Sequence, residues 1–330
     1  MQNGHYMTGD GNHHRMVEVD MMGNTIHNWD MLERGYTMHH AISQDKQGNI
    51  LATVSKTSAK IANGKDVRIN DFIIRMDPEK GEILQEWDLV HMLDSARYGM
   101  TDYNLTADPY AQNASNWAHN NGIVEWGNDY LATARYQGIF KFNKAGGIEW
   151  IISPHGYWRD RYLKLLLNPL HADGIPITDP DVIAGTKNCD DFEWPWGCHT
   201  AVPLPNGHIF YFNNGYGRNF KLDFTDRKNV YTCGIEYEVD EVNRTVRQVW
   251  QYGKERGTAY FTPARSGVQY LEQTGNRLIC PGMSNVLSNG NRGAHVTEVD
   301  PETQEIVFEL ELEDAIYQRV YRMSLYPDNQ

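Results

Sequence analysis

Three histidines, His40, His119 and His199, each stand eight residues ahead of a glycine (Gly48, Gly127 and Gly207) that turns one short alternating run into the next. Histidine has an ordinary pKa of about 6.5, so near neutral pH it can serve as nucleophile, base or acid. One histidine capping a strand would say little. Three in one register predict that separate repeats aim them at a common volume. Polar companions keep that register: Asn121 follows His119 by two residues, Arg135 falls on the next strand, and Asn213, Asn214 and Arg218 come after His199. Arginine presents a fork of fixed donors suited to an oxyanion with several oxygens. Histidine and arginine without clustered Asp or Glu therefore point to sulfate or phosphate esters rather than glycosides, whose hydrolysis uses paired carboxylates. Two other readings stay open. Three converging histidines could hold zinc or another divalent ion in a lyase or hydrolase, and the same volume could bind a ligand without transforming it.

The elements that must position these residues are repeats. A β-rich run, a polar turn and a second β-rich run recur over Met16–Trp29, Ile73–Trp87, Ile139–Ile151, Ile235–Trp250 and Val296–Leu310. Each alternates at period two and turns through Pro, Gly, Asn or Asp, the pattern of a β-hairpin. The units that begin at His40, His119 and His199 supply a second hairpin, and Gly267–Ile279 is a fourth copy with Gly267 in the place of histidine. Two hairpins in series make a four-stranded antiparallel sheet, and radial repetition of such sheets leaves few exposed edges. The expected fold is an all-β single-domain β-propeller over residues 1–330, with five blades countable. The innermost strand of each blade would line a central channel, with the histidines at its start. The run Ser324–Gln330 resembles a first strand and the residues from Asn3 a second, so the two termini would complete one blade and close the ring. Segments 91–116 and 153–196 are either a further blade or long loops, and a short helix is expected around Tyr157–Leu167.

Composition narrows the function classes. The chain has 43 acidic against 30 basic residues, a net charge of -13, and no Lys/Arg-rich run that could neutralise a row of phosphates, so nucleic acid is not an expected partner. No apolar stretch approaches the roughly 20 residues that span a bilayer, so membrane insertion is not expected either. The N-terminus lacks a signal-peptide pattern. The sequence as written is expected in the cytoplasm, or in the periplasm or outside the cell if a leader was removed. Cys189, Cys198, Cys233 and Cys280 are too few and too scattered to build the fold.

Several runs resemble a known family, the bacterial arylsulfate sulfotransferases that work without a nucleotide sulfate donor. They are Gly35-Tyr-Thr-Met-His-His40, Asn116-Trp-Ala-His-Asn-Asn-Gly-Ile123 with Ala134-Arg-Tyr-Gln-Gly138, Asp191 through Gly207 with Asn213-Asn-Gly, and Tyr321-Arg-Met-Ser-Leu-Tyr-Pro327. The resemblance implies a six-bladed propeller, one more blade than the repeats count. It implies an enzyme that moves a sulfuryl group from an aryl sulfate to a phenol through a sulfohistidine, with no metal and no cofactor. The matching nucleophile is His199. His119, Asn121 and Arg135 match the groups that hold the sulfuryl oxygens, and the pair His39 and His40 matches a further active-site histidine, with His40 preferred for its spacing. Asn214 and Arg218 join the substrate-binding candidates from the register, and Arg265 from a further match to the family. The family's disulfide upstream of the nucleophile has only Cys189 and Cys198 to match it here, at a different spacing. Oligomeric state is left open, a homo-oligomer included.

Overall fold

The computed structural model describes residues 4–9, 14–63, 66–97, 117–284 and 292–323, the side chains of 57–70 excepted. Among the described residues five antiparallel sheets follow one another, one for each blade counted from the repeats; the sixth blade implied by resemblance is not seen among them. The first has β1 (Tyr6–Gly9), β2 (Arg15–Val19) and β3 (Thr25–Asp30); the second β4 (Tyr36–Gln44), β5 (Ile50–Asn63), β6 (Asp66–Met76) and β7 (Ile83–Asp88). The third has β8 (Asn120–Trp126), β9 (Asp129–Ala134), β10 (Gly138–Phe142) and β11 (Ile148–Ile152). The fourth has β13 (His199–Pro203), β14 (Ile209–Asn213), β15 (Cys233–Asp240) and β16 (Thr245–Tyr252), and the fifth β17 (Gly267–Tyr270), β18 (Arg277–Cys280), β19 (Gly293–Val299) and β20 (Ile306–Glu313). Within blades two to five the strands pair in sequence order, so β4, β8, β13 and β17 are their first strands, and each contacts the next around the axis.

Tryptophan ties blade to blade. The hairpins of the first four blades end on Trp29, Trp87, Trp150 and Trp250, each on its blade's last strand. The indole N–H of Trp87 donates to Lys144 O (3.0 Å), that of Trp150 to Glu241 Oε1 (2.8 Å) and that of Trp250 to Pro301 O (3.0 Å), in each case at the last hairpin turn of the following blade. Trp29 packs on the equivalent turn, where a Cβ on Gly81 would come within 2.3 Å of its ring. A large apolar body with one polar edge suits a seam whose outer rim carries the acceptors of a turn.

The segment 153–196 is a connection rather than a blade. It carries α2 (Asp160–Leu163), α3 (Pro180–Ala184) and the three-residue β12 (Asn168–Leu170), which runs parallel to β16 and widens the fourth sheet to five strands. The short helix α1 (Leu89–Met92) follows β7. No helix among the described residues is long and apolar enough to cross a membrane. Most of 91–116 and the closing run Ser324–Gln330, on which the expected closure of the ring depends, lie outside the described residues; β1 pairs with β2 at one edge of the described first sheet.

Candidate active site

Every channel histidine sits at a break in strand register. Pairing slips between Met38 and Ile42 in β4, between Asn120 and Gly122 in β8 and between His199 and Ala201 in β13. At these bulges non-glycine residues turn left-handed: His40 at φ 53°, His119 at φ 53° and Thr200 at φ 45°. Arg265 and Ser266 do the same just ahead of β17, where the fourth repeat lacks its histidine. Such conformations cost on the order of 1–3 kcal/mol each and persist where surrounding bonds over-determine them. Here Thr53 Oγ1 accepts from Ala41 N (3.0 Å) and donates to His39 O, Asn120 N donates to Asp71 Oδ2 (3.0 Å), and Arg135 N donates to His119 O (3.0 Å).

The bulges bring the imidazoles together. His119 Nε2 lies 3.0 Å from His40 Nε2, and His40 Nδ1 lies 3.2 Å from His39 Nδ1. The far nitrogen of His39 is 3.5 Å from a carboxylate oxygen of buried Asp71, so three rings lead in series from the channel to an acid. The His199 ring centre is 6.0 Å from that of His40. Burial, with Arg135 adding to it, holds His199 down to about 3, and burial holds His40 and His119 well below the usual histidine range, so these three imidazoles are uncharged at neutral pH. Burial raises Asp71 from its ordinary value, against the lowering effect of His39 and of the backbone N–H of Asn120.

His199 has a fixed tautomer. Its Nδ1 faces two oxygens, Asn214 Oδ1 at 2.6 Å and Gly197 O at 3.2 Å. The Asn214 amide is oriented in turn by donation from Nδ2 to Thr262 O (2.8 Å). Nδ1 must therefore carry the proton, which leaves Nε2 with its lone pair. Arg135, 2% exposed, donates to Pro263 O (2.6 Å) and lies between the rings of Tyr216 (4.6 Å) and Tyr136 (5.6 Å). Asn121 is buried with its amide spanning two strands: Nδ2 donates to Cys198 O (2.8 Å) and Oδ1 accepts from Thr133 (2.6 Å). It holds the peptide that leads into His199.

Two of the expected arginines are placed otherwise. Arg218 is buried in an ion pair with Glu193, donates to Asn229 O (3.1 Å) and covers Tyr231, so the fold does not bring it to the histidines. Arg265 contributes its carbonyl, 3.4 Å from Asn214 Nδ2, and its strained backbone at φ 68°. All four cysteines are free. Burial pushes the Cys198 thiol up to about 12, so the neighbour of His199 is no rival nucleophile. Cys189 donates to Asp191 (3.1 Å) instead.

Sequence reasoning missed Asp71, Asn214's role as orienting group, and Arg319. Arg319 reaches the channel because Tyr317 and Gln318 pair with Gly282 and Ser266 at the top of the fifth blade. Its guanidinium donates to Asn121 O and helps depress His40 and His199, while its Nε has no partner among the described residues. Nothing local marks it. Asn214 alone carried a signal, its place at the end of the strand following His199. Among the described residues, the grouping of His, Cys, Asp or Glu with three ligand atoms within 4.8 Å of one another is His171, Cys189 and Asp191, which includes none of the channel histidines.

A β-propeller whose channel end holds a neutral histidine of fixed tautomer, flanked by further imidazoles and guanidinium groups, has the chemistry to receive an anionic group with several oxygens. The chain belongs to the arylsulfotransferase (ASST) family, whose model matches residues 1–322. It is 28% identical over 344 residues to the arylsulfate sulfotransferase AssT of Escherichia coli O6:H1, and 29% identical over 345 residues to that of Lelliottia amnigena. Each match takes in 95% of this chain, which spans 57% of the length of either relative.

Proposed function

We propose that this chain transfers a sulfuryl group from an aryl sulfate to a phenol by double displacement, with His199 as the covalent carrier. The observation that carries the proposal is the pair of oxygens at His199 Nδ1, Asn214 Oδ1 and Gly197 O, which commits the lone pair to Nε2. In the first half, Nε2 attacks sulfur, an N–S bond forms, and the S–O bond to the aryl group breaks. The phenolate leaves with the electron pair. The ring then carries positive charge, which Asn214 Oδ1 offsets through Nδ1–H. In the second half a phenol oxygen attacks the same sulfur, its proton passes to an imidazole, and the N–S bond breaks to return neutral His199.

The groups around the ring fit these steps. Arg135 and Arg319 supply fixed positive charge where the sulfuryl oxygens and the leaving phenolate gather negative charge, the kind of preorganised stabilisation that usually contributes most to catalysis. His119, in contact with His40, would take the acceptor's proton in this reading, and the chain through His39 to Asp71 could hold or return it. Splitting one transfer into two is the usual gain of a covalent intermediate.

Initial rates measured against both substrates test the reading. Parallel double-reciprocal lines are expected for 4-nitrophenyl sulfate with a second phenol, and loss of both half-reactions in His199→Ala. Intersecting lines, or normal transfer by His199→Ala, would contradict it.

A further inference from the structure

We infer that the depression between the third and fourth blades, roofed by Tyr136, Tyr157, Trp196, Tyr216 and Phe220 and floored by Arg135, is the subsite for the aromatic ring of donor and acceptor; this rests on the sulfuryl-transfer reading above. Three observations support it. First, it adjoins the reacting centre. Tyr136 meets His119 edge-on with ring centres 5.8 Å apart, and Arg135 belongs to both the depression and the histidine cluster. A sulfuryl group at His199 Nε2 with its aryl group in the depression would place the bridging oxygen beside Arg135, where charge develops as the phenolate leaves.

Second, the walls are held at a conformational cost. Tyr157 (φ 67°) and Phe220 (φ 59°) are bulky residues in left-handed backbone, outliers of the sort that gather at ligand clamps. Their rings stack edge to face at 4.8 Å, and Phe220 meets Trp196 the same way at 5.2 Å. Third, the lack of a side chain at Gly197 lets the backbone there close up against Tyr216 and Arg135 and sets the floor. A Cβ at Gly197 would stand 3.1 Å from Tyr216 Cβ and 3.7 Å from Arg135 Nη1. Among the described residues no carboxylate lines the depression, and the second guanidinium there, Arg97, donates to the carbonyls of Tyr136, Pro154 and Gly156 and so frames the loops. Flat aromatic faces over one cation suit a phenol or its sulfate ester and offer little to an aliphatic alcohol.

The test measures binding apart from chemistry. Equilibrium dialysis of 4-nitrophenol against the full chain is compared for the parent protein, His199→Ala, Tyr157→Gly, Phe220→Gly and Phe220→Leu, each checked for an unchanged circular-dichroism spectrum. Glycine suits the left-handed backbone at 157 and 220 and removes only the ring; Phe220→Leu serves if glycine there disturbs the fold. We expect Kd to rise about tenfold in Tyr157→Gly and in Phe220→Gly, with KM for 4-nitrophenyl sulfate rising in parallel, while His199→Ala binds 4-nitrophenol as the parent does. Folded Tyr157 and Phe220 variants whose Kd and KM stay within twofold of the parent would overturn the subsite and leave the His199 assignment standing. Phenol binding lost in those variants with no sulfated histidine in the parent would sink the transfer reading and leave the subsite.

Discussion

Lowering the pH from 7.5 to 5.5 separates His199 from an ordinary histidine. An imidazole with the usual pKa of about 6.5 is only about one-tenth neutral at pH 5.5, so a nucleophile of that kind would lose about tenfold in the rate of the first half-reaction. His199 is 1% exposed and near Arg135 and Arg319, and its pKa is held down to about 3, so it stays neutral throughout that range. The predicted change in single-turnover phenol release from 4-nitrophenyl sulfate, with samples quenched into base before reading, is less than twofold. The same burial works against the fold in acid. A histidine neutral in the folded state but protonatable at about 6.5 when unfolded costs about 1.4 kcal/mol of stability per pH unit below 6.5, until the folded pKa is reached. At pH 5.5 that is about 1.4 kcal/mol for His199, with a further cost of the same sign from His40 and His119, so intrinsic fluorescence is followed in the same samples and only rates from folded protein are compared. An acid limb near pH 6.5 in the first half-reaction of folded protein would refute the reasoning.

Further outcomes follow from the same geometry. Arg135→Leu should lower kcat by about 10²–10³-fold in transfer assays, as loss of a preorganised donor at developing charge does elsewhere, and Arg319→Gln should lower kcat/KM while shifting any acid limb upward. Asp71→Asn removes the charge at the end of the imidazole series; a loss of about 10–100-fold is expected in the second half-reaction, which needs a proton acceptor, with phenol release in the first largely kept. Trp87→Ala removes a buried indole and its bond to Lys144 O, and should cost about 3–5 kcal/mol in denaturant unfolding with activity per folded molecule retained.

The hairpins were legible because strands half-buried in a sheet write a period-two pattern, and the turns between them need Gly, Asn, Asp or Pro. All nine hairpins read from the sequence are strand pairs in the fold, from Met16–Trp29 to Val296–Leu310. The histidines could be grouped because a repeat converts equal register into shared space. Residues outside that register could not. Asp71 sits on the third strand of its blade, and Arg319 lies beyond the last hairpin on a segment positioned by backbone bonds to Gly282 and Ser266. Arg218 looked like a site residue from its distance to His199, yet Glu193, in the connection ahead of β13, takes its charge. The strand β12 has three residues and a proline, too little for any periodicity to declare itself.

Intact-mass measurement after exposure to excess 4-nitrophenyl sulfate, followed by peptide mapping, tests the central claim most directly. One sulfuryl group per chain is predicted, on His199, removable by an added phenol. An unmodified chain that has released nitrophenol, or a sulfuryl group mapped to any other residue, would contradict it.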